Sequence, residues 1–240
     1  MKEITRSIKR IIRFIIPNSV WLLRNYRDFK QDCLKQFDLK KIRIFKIYDW
    51  HAGFIYFVGE KERKKIFIKL CIADYDTILA EAEMQKYNVE WCPRVVASMH
   101  GKYKMIATEF MDLQKKIETI SDDEIDDIVN QAVKILTDMR QIKMFHRDIR
   151  PENIMIIKGN KLIVFDFGWA IFEERLHFGD DFIEKILNIQ YRRNDKEFDD
   201  AYSMYYSLCE MFPNIPKEKF APVEEQIGKY VLIEKEIKGD

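Results

Sequence analysis

Residues Met144–Met155 read MFHRDIRPENIM, and Asp166 opens an Asp-Phe-Gly within FDFGWA, residues 165–170. One short stretch therefore carries His146, Arg147, Asp148, Arg150, Glu152 and Asn153, with a further acid shortly after it. A solvated loop can collect such residues by chance. A site that aligns phosphate groups and neutralises their charge needs this kind of set. The sequence on either side of it decides between the two.

Between the two stretches lie two short apolar runs, NIMII and KLIVF, around Gly159-Asn160, which predicts a tight hairpin delivering Asp166. Upstream, SDDEIDDIVNQAVKILTDMRQI opens on Ser121 and three acids, the signature of a helix N-terminus. Ile125, Ile128, Val129, Ala132, Val133, Ile135 and Leu136 mark its expected buried face. Farther back, KIRIFKIYDW from Lys41, FIYFVGE and IFIKLCI predict three strands, the last two joined by a charged tip over Glu60 to Lys64. DYDTILAEAEMQKYN reads as a helix capped by Asp74 or Asp76, and PRVVASMH and YKMIATEFM read as two more strands. After Asp112 the pattern is mainly helical.

The chain begins differently. In MKEITRSIKRIIRFIIP, Ile4, Ile8, Ile11, Ile12, Ile15 and Ile16 form one helical stripe, with Lys2, Arg6, Lys9, Arg10 and Arg13 around it. Pro17 is expected to stop or kink that helix before a second one, VWLLRNYRDFKQDCLKQF. Two readings of the first helix stay open: packing on the protein itself or a partner, and lying on an anionic membrane surface through residues 1–16. Its charges exclude a spanning helix, and it lacks the form of a secretory signal.

Bulk properties set the class. The chain has 240 residues, and 47% hydrophobic with 13% aromatic residues is too apolar for a disordered chain. With 41 basic against 40 acidic residues, nothing global calls for nucleic acid. Cys33, Cys71, Cys92 and Cys209 are scattered without metal-ligand spacing, which fits core thiols and a cytoplasmic location. The basic start adds a peripheral position at the inner membrane face as the further expectation.

These residues together resemble the protein-kinase-like superfamily over about Lys41 to Phe212. His146, Arg147, Asp148 and Asn153 meet H-R-D-x-x-x-x-N, Asp166-Phe167-Gly168 meets D-F-G, and Lys69 stands on the third predicted strand. DAYSMYYSLCEMF from Asp200 is similar to the family helix that begins D-x-W-S. The resemblance implies an α+β, bilobal fold: a helical N-terminal segment (1–40), a small antiparallel sheet lobe (41–111), and a helical lobe (112–240) with a shortened C-terminal part. It implies ATP and Mg²⁺ as cofactors. Lys69 would hold the α- and β-phosphates, oriented by Glu81, with Glu83 as second choice because residues two apart on a helix face different ways. Asp166 and Asn153 would ligate magnesium through hard oxygens. Asp148 would take the acceptor's proton, and Arg150 would neutralise the transferring group. His146, Arg147 and Asp200 would shape and support the loop. Thr108 would stand at the back of the adenine pocket, and Glu109 and Met111 would offer backbone groups to adenine.

Departures from the family pattern bear on the acceptor. DWHAGFIYF has only Gly53 where a glycine-rich phosphate loop belongs. From Trp169 to Asp200 there is no Ser, no Thr and no A-P-E, and Tyr191 supplies the sole hydroxyl. Such departures favour a hydroxyl on a glycan or lipid-linked sugar, as in the bacterial lipopolysaccharide-core sugar kinases, which this chain also resembles. A Ser/Thr protein kinase is the alternative. A catalytically silent pseudokinase scaffold at the membrane and nucleotidyl transfer are two further readings. Glu173, Glu174, Arg175, His177, Arg192 and Arg193 are acceptor-side candidates by position only, with solvated charge the expectation for each.

Overall fold

A computed structural model of the chain describes residues 15–47, 53–72, 77–87, 89–111, 117–173, 191–193 and 197–233. The basic Ile stripe of residues 1–14, the Asp74 and Asp76 caps, residues 49–52 of the glycine-poor stretch, and Glu174, Arg175 and His177 lie outside the described residues. The chain divides into two compact units, Met1–Asn88 with Pro93–Phe110, and Val89–Cys92 with Met111–Asp240.

The first unit is built on an antiparallel sheet of β1 (Lys41–Lys46), β2 (Phe54–Lys61), β3 (Lys64–Cys71), β4 (Val95–His100) and β5 (Lys104–Glu109), ordered β1-β2-β3-β5-β4. Alternation along β3 decides what each face holds. Ile66, Ile68 and Leu70 enter one core with Ile42, Ile55, Phe57, Met105 and Ala107. That face is covered by α1 (Ile16–Gln36), which buries Phe29 and Cys33. Phe29 is wholly buried, with ring centres 4.7 Å from Phe57 and 5.2 Å from Tyr103. Burying one such side chain stabilises by about 1.5–3 kcal/mol. The opposite face carries Cys71 with Phe54, Tyr56 and Ile106, and α2 (Thr77–Glu83) closes it with Ile78 and Ala82. Lys69 shares that second face by alternation.

Two expectations are corrected here. The second helix starts earlier than Val20: α1 begins at Ile16 and Pro17 sits in its first turn, where a missing N–H costs nothing, while the helix that Pro17 is expected to stop or kink lies outside the described residues. The β2–β3 tip is also tighter than Glu60 to Lys64. Lys61 pairs with Lys64, leaving Glu62 and Arg63 as a two-residue turn at φ 46° and 68°. Both lie in the left-handed region that this twist of hairpin requires.

The second unit is organised around α3 (Asp122–Gln141), started by a Ser121–Glu124 capping box. Its buried residues are Ile125, Ile128, Val129, Ala132, Ile135, Leu136 and Met139. Val133, expected inside, is half-buried, and Met139 extends the buried face about one turn beyond Leu136. β6 (Met144–Phe145) pairs with β9 (Ile171–Phe172), and β7 (Ile154–Ile157) with β8 (Lys161–Val164). The β7–β8 turn has Gly159 at φ 84° and Asn160 at φ 58°. α3 holds that hairpin: Gln131 donates to the Asn160 carbonyl and accepts from Leu162 N–H, while Asn160 Nδ2 donates to Glu124. β10 (Glu197–Phe198), α4 (Asp200–Met211), α5 (Ala221–Glu224) and β11 (Leu232–Ile233) follow, with β10 pairing β11. Among the described residues no helix is long and apolar enough to cross a membrane.

Candidate active site

In the first unit, Lys69 and Glu81 form a buried ion pair, with 7% and 10% of their side chains exposed. The lysine ammonium also lies 4.8 Å from the centre of the Phe54 ring. Glu83 pairs with Lys86 in the 3-10 turn that follows its helix. The two glutamates point apart, as a two-residue step on a helix dictates, and Glu81 is the one brought to Lys69. Truncating one partner of such a buried pair costs about 3–5 kcal/mol, because the other charge is left without compensation. The Glu109 carboxylate pairs with Arg94, and its N–H donates to the Arg94 carbonyl at 2.9 Å. Phe110 N–H donates to the Lys65 carbonyl, so these two amides are engaged in the sheet. Thr108 and Glu109 are half-buried on β5, and Met111 is half-buried where the second unit resumes.

In the second unit the loop after β6 is held from its backbone. Both carboxylate oxygens of Asp200 accept backbone hydrogens, from His146 N–H at 2.6 Å and Arg147 N–H at 3.0 Å. Burial raises the Asp200 carboxyl to about 6, against those two hydrogen bonds. Arg147 is bent into the left-handed region at φ 66°, and its Nε donates to the Trp169 carbonyl at 2.7 Å. His146 is fully buried. Its Nε2 lies 3.1 Å from the Phe165 carbonyl and its Nδ1 accepts from Asp148 N–H at 3.3 Å, so one neutral tautomer serves both. Burial pushes its pKa down to about 4, which keeps the ring neutral and structural.

Asp148 sits at the end of this scaffold. Asn153 Nδ2 donates to its carbonyl and to its Oδ2, each at 2.8 Å. Arg150 Nε stands 3.6 Å from the same Oδ2. Burial raises the Asp148 carboxyl to about 7; Arg150 and Asn153 pull it down, and Asp166 adds to the rise. A carboxylate with its proton affinity lifted to neutrality is suited to accept a proton near physiological pH. Asn153 closes the 3-10 turn Pro151–Asn153, and its carbonyl accepts from Phe165 N–H at 3.1 Å, next to Asp166. Asp166 itself is left-handed, at φ 64° and ψ 61°. With Nδ2 committed to Asp148, Asn153 has Oδ1 left to present. That oxygen and the Asp166 carboxylate are two hard donors, a set that suits magnesium sharing its remaining sites with phosphates and water. Among the described residues no group of three His, Cys, Asp or Glu forms an all-protein metal cage.

Some supports had no signal in the sequence. Phe167 is held between His146 and Trp91, at ring distances of 4.7 Å and 6.0 Å. Trp91 is fixed by its Nε1 donating to Asp138 and its carbonyl accepting from Val164 N–H. Asp199 caps α4 through Ala201 and Tyr202 and also accepts from Gly228 N–H. Of the acceptor-side candidates, Glu173 accepts from the Tyr230 hydroxyl and Arg193 lies near Glu197. Arg192 departs from the expectation of solvated charge: it is buried, its guanidinium 4.0 Å from the centre of the Phe198 ring. Cation–aromatic contact and burial of its stem explain the position.

Comparison with known proteins agrees with this arrangement. The protein kinase domain family matches residues 63–185. Mitogen-activated protein kinase kinase 9 of Arabidopsis thaliana is 24% identical over 144 residues, 55% of this chain and 46% of its own length. Dual specificity mitogen-activated protein kinase kinase 1 of Dictyostelium discoideum is 26% identical over 148 residues, 55% of this chain and 22% of its own. An Aurora kinase of Encephalitozoon cuniculi (strain GB-M1) is 41% identical over 44 residues, 18% of this chain and 16% of its own. The chain thus spans less than half the length of each of these relatives. The fold is α+β and kinase-like, and the chain belongs to the protein kinase domain family.

Proposed function

We propose that this chain is an ATP-dependent, Mg²⁺-requiring phosphotransferase whose acceptor is a hydroxyl of a protein, Ser or Thr. The observation that carries the reading is Asp148: a buried carboxylate poised near neutrality, oriented by Asn153 and set on a loop whose backbone Asp200 holds. The acceptor oxygen attacks the γ-phosphorus, the bond to the β–γ bridging oxygen breaks, ADP leaves, and the hydroxyl proton passes to Asp148. Lys69, oriented by Glu81, binds the α- and β-phosphates, and Arg150 offsets charge on the transferring group. Asn153 and Asp166 would hold magnesium, which supplies charge neutralisation at the phosphates. Glu109 and Met111 would present backbone groups to adenine. The protein acceptor is favoured by the relatives, two of which are named as mitogen-activated protein kinase kinases.

The glycan or lipid-linked sugar reading is second, resting on the absence of Ser, Thr and A-P-E between Trp169 and Asp200. A position at an anionic membrane surface has its own support. Directly after the basic segment, Ile16, Val20 and Leu23 leave apolar side chains exposed along α1, Leu23 to 87%. Incubation with γ-labelled ATP, Mg²⁺ and either a generic protein or a membrane-glycan extract tests the reading, with Asp148→Asn as control. Label entering protein, lost in the variant, supports it. Label entering glycan alone overturns the protein acceptor, and no Asp148-dependent label in either overturns the enzyme reading.

A further inference from the structure

Asn18 is a polar side chain in the first turn of α1, yet it is wholly buried. Its Nδ2 donates to two carbonyls that are distant in sequence, Ile47 at 2.6 Å and Phe54 at 2.9 Å. Both neighbours can only accept, so chemistry fixes which way the amide points. Among the described residues its Oδ1 has no hydrogen-bond donor. A buried amide that leaves one end unsatisfied is costly to keep, and an apolar residue would fill the same space. The two donated bonds are what Asn18 supplies in return.

Their location gives them a role. The β1–β2 ladder runs from Lys41↔Glu60 to Lys46↔Tyr56. Ile47 and Phe54 lie just past the last register pair of that ladder. One side chain from a helix on the sheet's far face ties them together. On the other side, Ile72 N–H donates to the Gly53 carbonyl at 2.6 Å, so the chain entering β2 is held from both neighbours. The Phe54 ring then faces Lys69, whose ammonium is 4.8 Å from its centre. Backbone fixed by Asn18 is thus one residue's length from the group that binds phosphate.

We propose that Asn18 is a positioning residue for nucleotide binding: by tying Phe54 to Ile47 it fixes the aromatic ring against which Lys69 is set. This rests on the nucleotide-binding reading given above. It makes α1, which covers the sheet face opposite Lys69, part of the nucleotide-binding apparatus. By reciprocity of linked equilibria, bound nucleotide must in turn stabilise the start of α1.

The test uses the full chain and MgATP, with affinity read by a fluorescent ATP analogue. Asn18→Leu keeps the branching and number of side-chain heavy atoms and removes both donated bonds. Loss of two neutral hydrogen bonds predicts MgATP affinity weaker by about tenfold, with KM for ATP rising in parallel and KM for the acceptor unchanged. Asn25→Ala is the control, since Asn25 only bonds the Trp21 carbonyl within the same helix. Wild-type MgATP affinity in a folded Asn18→Leu variant, with lowered Tm alone, would overturn the proposal. Hydrogen exchange on the wild type covers the case of a variant that does not fold. A non-hydrolysable MgATP analogue should slow exchange across Asn18–Leu23, and unchanged exchange there would overturn the idea. Wild-type binding that Lys69→Met abolishes and Asn18→Leu leaves intact refutes the positioning role alone. No MgATP binding by the wild type refutes the functional reading and the positioning role with it.

Discussion

Arg150→Met should move the pH at which the chain becomes active. Burial holds the Asp148 carboxyl near 7, and Arg150 is the strongest influence pulling it down. With that pKa, about 9% of the base is ionised at pH 6 and about 91% at pH 8, so kcat/KM should fall about tenfold between them. His146 cannot produce this limb, because its imidazole titrates near 4. Arg150 Nε lies 3.6 Å from Asp148 Oδ2. A unit charge at that distance is worth roughly 1 kcal/mol in a water-like dielectric and roughly 4–5 kcal/mol at an effective value of 20, or about one to three pH units. Arg150 keeps 24% of its side chain in solvent, which favours the low end. The acidic limb should therefore rise by about one unit in Arg150→Met and stay in place in Arg150→Lys. A ¹³C titration of the Asp148 carboxyl in the free protein reads the same shift without turnover. A wild-type limb at the ordinary carboxylate range near 4, or a limb that Arg150→Met leaves unmoved, would refute the reasoning.

Stability should respond to the same group with a definite sign. The folded chain retains a proton on Asp148 that the unfolded chain releases above 3.8, so this contribution is complete below 3.8 and lost as pH rises through about 7. Asp148→Asn should accordingly raise the free energy of unfolding, and Tm with it, at pH 8 and not at pH 4, by on the order of 1–4 kcal/mol before the loss of Arg150's partner is subtracted. Asp200→Ala strands two buried backbone N–H groups and should cost about 2–5 kcal/mol in urea unfolding, with activity falling further than stability accounts for. Glu81→Ala should cost about 3–5 kcal/mol and weaken MgATP binding, whereas Glu83→Ala leaves MgATP affinity as in the wild type. Asp166→Asn should weaken nucleotide binding measured with Mg²⁺ and leave metal-free binding nearly unchanged, by equilibrium dialysis.

Legibility followed chemistry. His146, Asp148, Asn153 and Asp166 stand out in the sequence because they match the family's H-R-D-x-x-x-x-N and D-F-G patterns, whose residue types suit the phosphate transfer proposed above. Lys69 and its partner are expected from the family resemblance, helix periodicity allows only one of Glu81 and Glu83 to serve, and the buried ion pair shows that Glu81 meets Lys69. What escaped is what depends on backbone partners. Asn18 contacts two carbonyls, Trp91 receives one amide, and Asp199 accepts from Gly228. A carbonyl looks the same in every residue, so no pattern announces it. The Glu62-Arg63 turn escaped for a related reason: left-handed backbone is expected at Gly or Asn, and neither is present. The start of α1 at Ile16 escaped because proline has opposite meanings at the first turn of a helix and in its interior.

The candidate base is made by a division of labour that single residues do not reveal. Asp200 fixes the loop backbone through two hydrogen bonds, so the entropy of ordering it is met far from the reacting atoms. His146, kept neutral, adds a contact to the Asp148 N–H without adding charge. Asn153 then orients the carboxylate, and Arg150 tunes it from the side that remains open to solvent. Replacing Asn153 by Asp would keep the size and reverse the logic. Two carboxylates would compete for one proton beside Asp166, lifting Asp148 further above 7 and removing the orienting donor. Asn153→Asp should therefore lower kcat at pH 7 more than at pH 9, whereas an asparagine serving only as a metal ligand would lose activity equally at both.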